Sequence, residues 1–129
     1  MKKHPYRLLT AALLVGSLVA CTARFQPAGP SVITPLLTKD TIVQADGTEL
    51  PFIVWLPDAR PRAAIIALHG FNDYSNAFSK PGLYWAARDI ATHAYDQRGF
   101  GRGPHKKIWA GHKTLVADLA TTSQLIRAR

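Results

Sequence analysis

The sequence predicts an α/β domain in which an antiparallel hairpin leads into parallel strands separated by helices, and three observations predict it. Thr41-Ile42-Val43 and Leu50 to Leu56 flank Asp46-Gly47; the run Ala63 to Leu68 is apolar on both faces and Ile90 to Tyr95 reads as a second buried strand; and a helical pattern follows each of those runs. Short apolar runs alternating with helical segments are the mark of parallel strands covered by helices on either side.

The hairpin rests on Asp46-Gly47, a dipeptide favoured in tight turns because both central residues accept positive φ. In its second arm Leu50, Phe52, Val54 and Leu56 alternate with Pro51, Ile53 and Trp55. Pro51 lacks an N–H, which suits an edge strand. After the turn-prone Pro57 to Arg62, the Ala63 to Leu68 run reads as the core strand. It ends at His69-Gly70, and the polar stretch Asn72 to Asn76 enters a helix that Pro81-Gly82 should divide in two. The Ile90 to Tyr95 strand ends at Asp96 and runs into Gly99-Phe100-Gly101-Arg102-Gly103. Leu115, Leu119, Thr122 and Ile126 then recur at helical spacing, with Arg127 and Arg129 at the negative end of the helix dipole.

The first two dozen residues are of another kind. Lys2, Lys3 and Arg7 precede an uncharged run from Leu8 to Ala20, too short to span a bilayer, which needs roughly 20 apolar residues. This is the pattern of an export signal, residues 1–20. It ends in Leu18-Val19-Ala20-Cys21, similar to the bacterial lipobox, and Cys21 is the only cysteine. A thiol is the side chain able to carry a thioether-linked lipid, so Cys21 is the expected lipidation site. Two or three acyl chains on one residue hold a protein firmly to a membrane. Residues 21–38, with Pro27, Gly29, Pro30 and Pro35 and no apolar period, read as an extended tether. The domain proper is then 39–129, on the extracytoplasmic side of the cell envelope. Thr22 after the cysteine, rather than aspartate, favours release to an outer membrane where one exists.

Loss of Lys2, Lys3 and Arg7 takes the formal charge of the 129-residue chain from +8 to +5, so part of its basic character belongs to export. The remaining Lys and Arg are scattered without an aromatic-interleaved stripe, which argues against nucleic acid as a partner. His93, His105 and His112 have no tight ligand spacing and no carboxylate cluster, so neither a metal nor any other cofactor is expected.

The residues with chemical potential lie where the two apolar strands end. Strand ends at the carboxyl edge of a parallel sheet are where such folds place ligands. There, His69-Gly70-Phe71-Asn72-Asp73-Tyr74 and Tyr95-Asp96-Gln97-Arg98-Gly99-Phe100-Gly101 together resemble the α/β-hydrolase superfamily, in its monoacylglycerol lipase and lysophospholipase-like branch, over about Asp46 to Arg129. The resemblance implies the N-terminal half of that fold. It implies that the Phe71 backbone N–H is one oxyanion-hole donor, with Gly70 allowing close approach and His69 shaping the loop. A donor fixed at about 2.7 to 3.1 Å from a developing oxyanion typically contributes roughly 3 to 4 kcal/mol. The implied substrate is an acyl ester or lysophospholipid-like molecule.

A phosphate cradle is the other reading of the glycine-rich turn, but its spacing is G-x-G-x-G and it follows the later strand. Asp96, Arg98, Gly99 and Gly101 therefore read as a structural loop, with Asp96 and Arg98 hydrogen-bonding it. Phe100, Trp109 and Tyr84 read as packing residues, with a lipid-contacting rim as the alternative. No G-x-S-x-G occurs in the chain. In hydrolases of this fold the order is serine, acid, histidine, so the triad is expected beyond Arg129, the chain alone should be inactive, and His69 is not the catalytic base. An unpaired outer edge on the Ala63 to Leu68 strand should favour self-association. The alternatives are a non-catalytic lipoprotein module, a remnant, or an epoxide- or halide-directed hydrolase with an aspartate nucleophile.

Overall fold

A computed structural model describes residues 24–129; the expected export signal and Cys21 lie outside the described residues. The elements in chain order are β1 (Leu36–Leu37), β2 (Thr41–Val43), β3 (Glu49–Trp55), β4 (Ala63–Ala67), α1 (Ser79–Ala86), β5 (Ile90–Tyr95) and α2 (His112–Arg127), with a 3-10 turn, Ser75–Phe78, running into α1. The sheet order is β1-β2-β3-β5-β4. β4 and β5 are parallel and the remaining pairs antiparallel. This is the α/β architecture the sequence implies, a mixed sheet with helices on it.

The β2–β3 hairpin forms around Asp46-Gly47, but by a different turn. Only Gly47 takes positive φ (78°). The Gly47 amide donates to the Gln44 carbonyl at 2.9 Å and the Gln44 amide to the Thr48 carbonyl at 2.8 Å, so the loop has three residues with glycine in the left-handed position. The Asp46 carboxylate is thereby free to receive the Thr48 amide at 3.1 Å and the Gly29 amide at 3.0 Å.

One strand placement differs from expectation. β3 is interior, not an edge: its ladder with β5 begins at Phe52, and Pro51 uses its carbonyl to accept the Asp96 amide at 2.8 Å. Its missing N–H falls at a ladder end, where it costs little. β4 lies at the sheet edge among the described residues, the unpaired outer edge expected of it, with Ala63 and Ala64 exposed and only Ala67 buried. β5 takes the interior position and is buried from Ala91 to Tyr95.

Alternation along β3 sends Leu50, Phe52 and Val54 to one face. There Ile42, Leu50, Phe52 and Tyr95 form the core, and Leu37, Ile66 and Leu125 of α2 pack on it. Ile53 and Trp55 take the other face, under α1. Gly82 is needed there, because a Cβ at that position would lie 2.5 Å from the Trp55 ring. Pro81 does not break the helix. It sits in the first turn of α1, where its N–H would have no intrahelical partner, so the division falls at Phe78–Ser79 instead.

The buried line of α2 is Thr114, Asp118 and Thr122, one residue round from the expected Leu115 and Leu119, which are half-buried. The segment expected as a tether is extended but docked. Val32 and Ile33 amides donate to the Ala45 carbonyl at 2.8 and 3.1 Å, and Leu36–Leu37 joins the sheet. Backbone groups of an unpatterned segment can be satisfied by a neighbour as well as by water, and apolar periodicity does not register this.

Candidate active site

The loops that follow β4 and β5 lie side by side because their strands are adjacent and parallel, so both chain ends emerge at the same sheet edge. His69 joins them. The Gln97 amide donates to His69 Nε2 at 3.0 Å, the Gln97 side-chain amide donates to the His69 carbonyl at 2.8 Å, and His69 Nδ1 lies 2.9 Å from the Gly70 carbonyl. An amide N–H can only donate, so Nε2 is unprotonated and Nδ1 carries the proton that it gives to Gly70. Both ring nitrogens are thereby engaged in holding the two loops, and the side chain is buried.

Asp96 ends β5 with no exposure to solvent. Its Oδ1 accepts the Ser75 amide at 2.8 Å and its Oδ2 the Arg102 amide at 2.8 Å, with the Arg102 guanidinium at 3.5 Å. Burial opposes its charge, yet the donors from Ser75 and Arg102 together hold the carboxyl below its ordinary range. The carboxylate thus ties the start of the 3-10 turn to the glycine-rich loop. Gly99 (φ 85°) and Gly101 (φ 53°) both have positive φ; a Cβ on Gly99 would collide with the Ile108 carbonyl, and one on Gly101 would meet Asp96 Oδ2 at 2.5 Å. Gly70, by contrast, has nothing within 4 Å of its Cβ position. Its openness is toward solvent, not toward another part of the chain.

Arg98 does not brace this loop as expected. It turns inward, 4 % exposed, and binds two carboxylates. Nη1 and Nη2 meet Asp46 Oδ2 and Oδ1 at 2.6 and 3.0 Å, Nε and Nη2 meet Asp118 Oδ2 and Oδ1 at 2.7 and 2.9 Å, and Nη1 also reaches Thr48 Oγ1 at 2.8 Å. One guanidinium therefore locks the hairpin turn, the β5 loop and α2 together. The Arg98 bonds hold Asp46 well below the usual carboxylate range; burial, joined by the Asp46 charge, pushes Asp118 up against the Arg98 bonds. Sequence reasoning marked Asp46 only as a turn residue and Asp118 not at all. The available signal was Asp118 within the Leu115 to Ile126 stripe, since an acid among apolar helix positions needs a partner.

Above this frame sits an aromatic cluster. Phe100 meets His69, Phe71 and Trp109 with ring centroids 5.6, 5.3 and 6.4 Å apart. Phe71, Asn72, Gly99, Phe100, Lys107, Ile108 and Trp109 line a cavity of about 370 Å³. Phe71 is 76 % exposed, and its amide makes no hydrogen bond among the described residues. Asn72 and Lys107 hold positive φ (60° and 66°) on the two sides of this cavity, so the loops there are fixed in sparsely populated conformations. Phe100 and Trp109 belong to the cavity wall. Tyr84 does not; it lies on α1 with the Arg88 guanidinium 3.6 Å from its ring centre.

The structure brings together His69, Gly70, Phe71, Asp96, Gly99 and Gly101, and adds Gln97, Asn72 and Ile108, which sequence reasoning did not single out. It does not gather His93, His105 and His112: among the described residues no three His, Cys, Asp or Glu side chains are placed to hold a metal. Ser79 Oγ is spent on the Asn76 carbonyl at 2.7 Å and Ser123 Oγ on the Leu119 carbonyl at 2.8 Å, while Ser75 is fully buried.

His93 lies within β5, opposite Ile66 of β4 and stacked on Phe52 with centroids 5.8 Å apart; burial, then the Arg129 charge, lowers its pKa from the ordinary value of 6.5. A histidine favoured neutral in the fold contributes stability above its unfolded pKa and loses it as pH falls. Asp46 and Asp96, both lowered from 3.8, act in the same sense at lower pH, whereas the raised Asp118 opposes them. Denaturant titrations from pH 8 to pH 3 should therefore show stability declining below about pH 6.5 and again below about pH 4. His93→Leu should remove the first decline; a decline unchanged in that variant would contradict the assignment.

Comparison with known proteins agrees with this fold. The model of the serine aminopeptidase S33 family matches residues 59–129. The chain is 27% identical over 77 residues to a monoacylglycerol lipase of Mycolicibacterium smegmatis, covering 60% of this chain and 28% of that one. An esterase from Exiguobacterium antarcticum superposes with a TM-score of 0.54 at 18% identity, over 70% of this chain and 32% of its own. The chain thus spans about a third or less of the length of these relatives. With the family match across most of the domain and the sheet edge built as described, the chain belongs to the serine aminopeptidase S33 family of α/β-hydrolases.

Proposed function

We propose that this chain is the N-terminal part of a membrane-anchored serine hydrolase that cleaves carboxylic esters of lipid-like acyl chains, and that the Phe71 amide is one of its oxyanion-hole donors. The observation that carries the reading is that amide's position. It stands on the loop after a parallel strand, unbonded among the described residues, beside an apolar cavity large enough for part of an acyl chain. A donor fixed before the reaction stabilises the developing oxyanion without reorganisation, and His69, Gln97 and the aromatic cluster supply the fixing.

The nucleophile, acid and base would come from sequence other than these residues, since no serine among the described residues has the strand-turn-helix setting that exposes its oxygen. By itself the 129-residue chain should be inert, and the open edge of β4 should favour pairing with a second copy. Lipid on Cys21 would hold the protein on the envelope membrane. The Cys21→Ser chain should then stay uncleaved or leave the membrane fraction, and unchanged partitioning would contradict lipidation.

A fluorophosphonate probe tests the catalytic proposal, because it reacts only with an activated serine. The longest natural polypeptide that carries this sequence should be labelled, and the 129-residue chain should not. An unlabelled natural product would favour the non-catalytic lipoprotein module, and labelling of the chain alone would place the nucleophile where this account does not.

A further inference from the structure

The aromatic cavity and the start of the described chain lie at one place. Phe25 pairs with Trp109 in a parallel bridge, and the Gln26 amide donates to the Trp109 carbonyl at 3.0 Å. Cys21 precedes Phe25 by four residues, and an extended chain spans at most about 3.6 Å per residue. Whatever path those residues take, the cysteine stays within roughly 15 Å of Phe25, and so near Trp109. The apolar run Leu8 to Ala20 lies directly before it. Membrane attachment through a lipid on Cys21 would therefore begin within about 15 Å of Phe25.

The rim has the chemistry of an interfacial surface. Phe25, Phe71 and Trp109 are 61, 76 and 38 % exposed, and aromatic rings are favoured at the headgroup level of a bilayer. Lys106 and Lys107 lie on the same rim, both lining the adjoining cleft with Tyr74, and neither is in an ion pair among the described residues. The Arg102 guanidinium is 63 % exposed and only 3.5 Å from Asp96 at its nearest. Asp73 is the one carboxylate lining that cleft. The loop that carries the lysines is braced by three backbone bonds: Gly99 amide to Pro104 carbonyl at 2.9 Å, Lys107 amide to Gly99 carbonyl at 2.9 Å and Ile108 amide to His105 carbonyl at 3.0 Å. Two lysines held on a braced loop beside exposed aromatics match an anionic lipid surface in charge and in polarity.

We infer that the face formed by Phe25, Phe71, Trp109, Lys106 and Lys107 docks on an anionic bilayer, with the mouth of the cavity against the lipid headgroups. This deepens the proposed function, since a lipid-like ester would then reach the Phe71 amide from the membrane without crossing water. It rests on that reading only for what enters the cavity; the docking itself does not require hydrolysis.

Hydrogen exchange of the full 129-residue chain, read by mass spectrometry, tests the docking. The chain is mixed with vesicles of phosphatidylcholine and phosphatidylglycerol at three to one, or of phosphatidylcholine alone. Residues 70–74 and 99–109 should exchange about tenfold more slowly on the anionic vesicles than on the neutral ones, while residues 79–86 of α1 exchange alike on both. Lys106→Gln with Lys107→Gln should abolish most of the difference. The inference is overturned by equal protection on neutral vesicles, by protection on α1 instead, or by protection that needs no vesicle and grows with protein concentration, which would mean a second copy covers the face. Because no turnover is measured, failure here leaves the fluorophosphonate result standing, and the converse holds as well.

Discussion

Arg98→Met should destabilise the domain by about 3 to 5 kcal/mol, the largest effect expected of any single substitution, because it leaves two buried carboxylates without their counter-ion. Arg98 satisfies Asp46 and Asp118 bidentately, each at two distances of 3.0 Å or less, and all three side chains are nearly excluded from water. The loss would be felt in three elements at once: the hairpin turn, the loop after β5 and α2. Arg98→Lys should rescue little, since an ammonium cannot fork between two carboxylates. Adding Asp46→Asn and Asp118→Leu to Arg98→Met should restore much of the stability, because the cost lies in the uncompensated charges more than in the pair itself. Denaturant unfolding measures each step. A change under about 1 kcal/mol for Arg98→Met would mean the cluster is hydrated and does not hold the loops.

Gly101→Ala should cost about 2 to 4 kcal/mol through two separate penalties: a left-handed backbone that L side chains resist, and overpacking. The new methyl would lie 2.5 Å from Asp96 Oδ2 and 2.7 Å from Tyr74 Cβ. Asp96 would have to move, and its bond from the Arg102 amide would go with it. Two control glycines separate the penalties. Gly111 (φ 85°, ψ 148°) lies in an extended region open essentially to glycine alone but has nothing within 4 Å, so Gly111→Ala should show a backbone cost without overpacking, about 1 to 3 kcal/mol. Gly70 has neither positive φ nor a neighbour, so Gly70→Ala should be near neutral in stability. Equal effects at the three positions, measured by thermal or denaturant unfolding, would contradict the packing described around Asp96.

The sequence carried the strands and the sheet edge well, for a physical reason. Ile90 to Tyr95 reads as a buried strand, and its observed limits are the expected ones, because the charged Asp89 and Asp96 bound a run without carboxylates, lysine or arginine. The Ala63 run is apolar on both faces yet sits at an edge among the described residues, since composition records what a strand can bury and not which neighbours are present. Pro51 misled in the opposite direction. A missing N–H excludes a bonded ladder position, not an interior strand, and here the gap falls opposite Asp96 at the end of the ladder.

Within the site, His69, Gly70 and Phe71 were legible because they sit where a core strand meets a polar run. The partner of His69 was not, because Gln97 donates from the following loop, 28 residues away, and no local pattern encodes that bond. Arg98 shows the same limit. Its neighbourhood in sequence is a glycine-rich turn, but its partners are 52 and 20 residues distant. The docked strap from residue 24 to Leu37 escaped notice because its contacts are made by backbone amides, which every residue carries.

The central claim is that the Phe71 amide receives the oxygen of an acyl transition state. Its most direct test is a crystal structure of the natural polypeptide carrying this chain, with a phosphonate bound covalently at the active serine. The phosphonyl oxygen should lie about 2.7 to 3.1 Å from the Phe71 nitrogen, with the alkyl group entering the cavity of Phe71, Phe100 and Trp109. An oxygen bound by other donors, more than about 4 Å from that nitrogen and outside hydrogen-bond reach, would contradict the account.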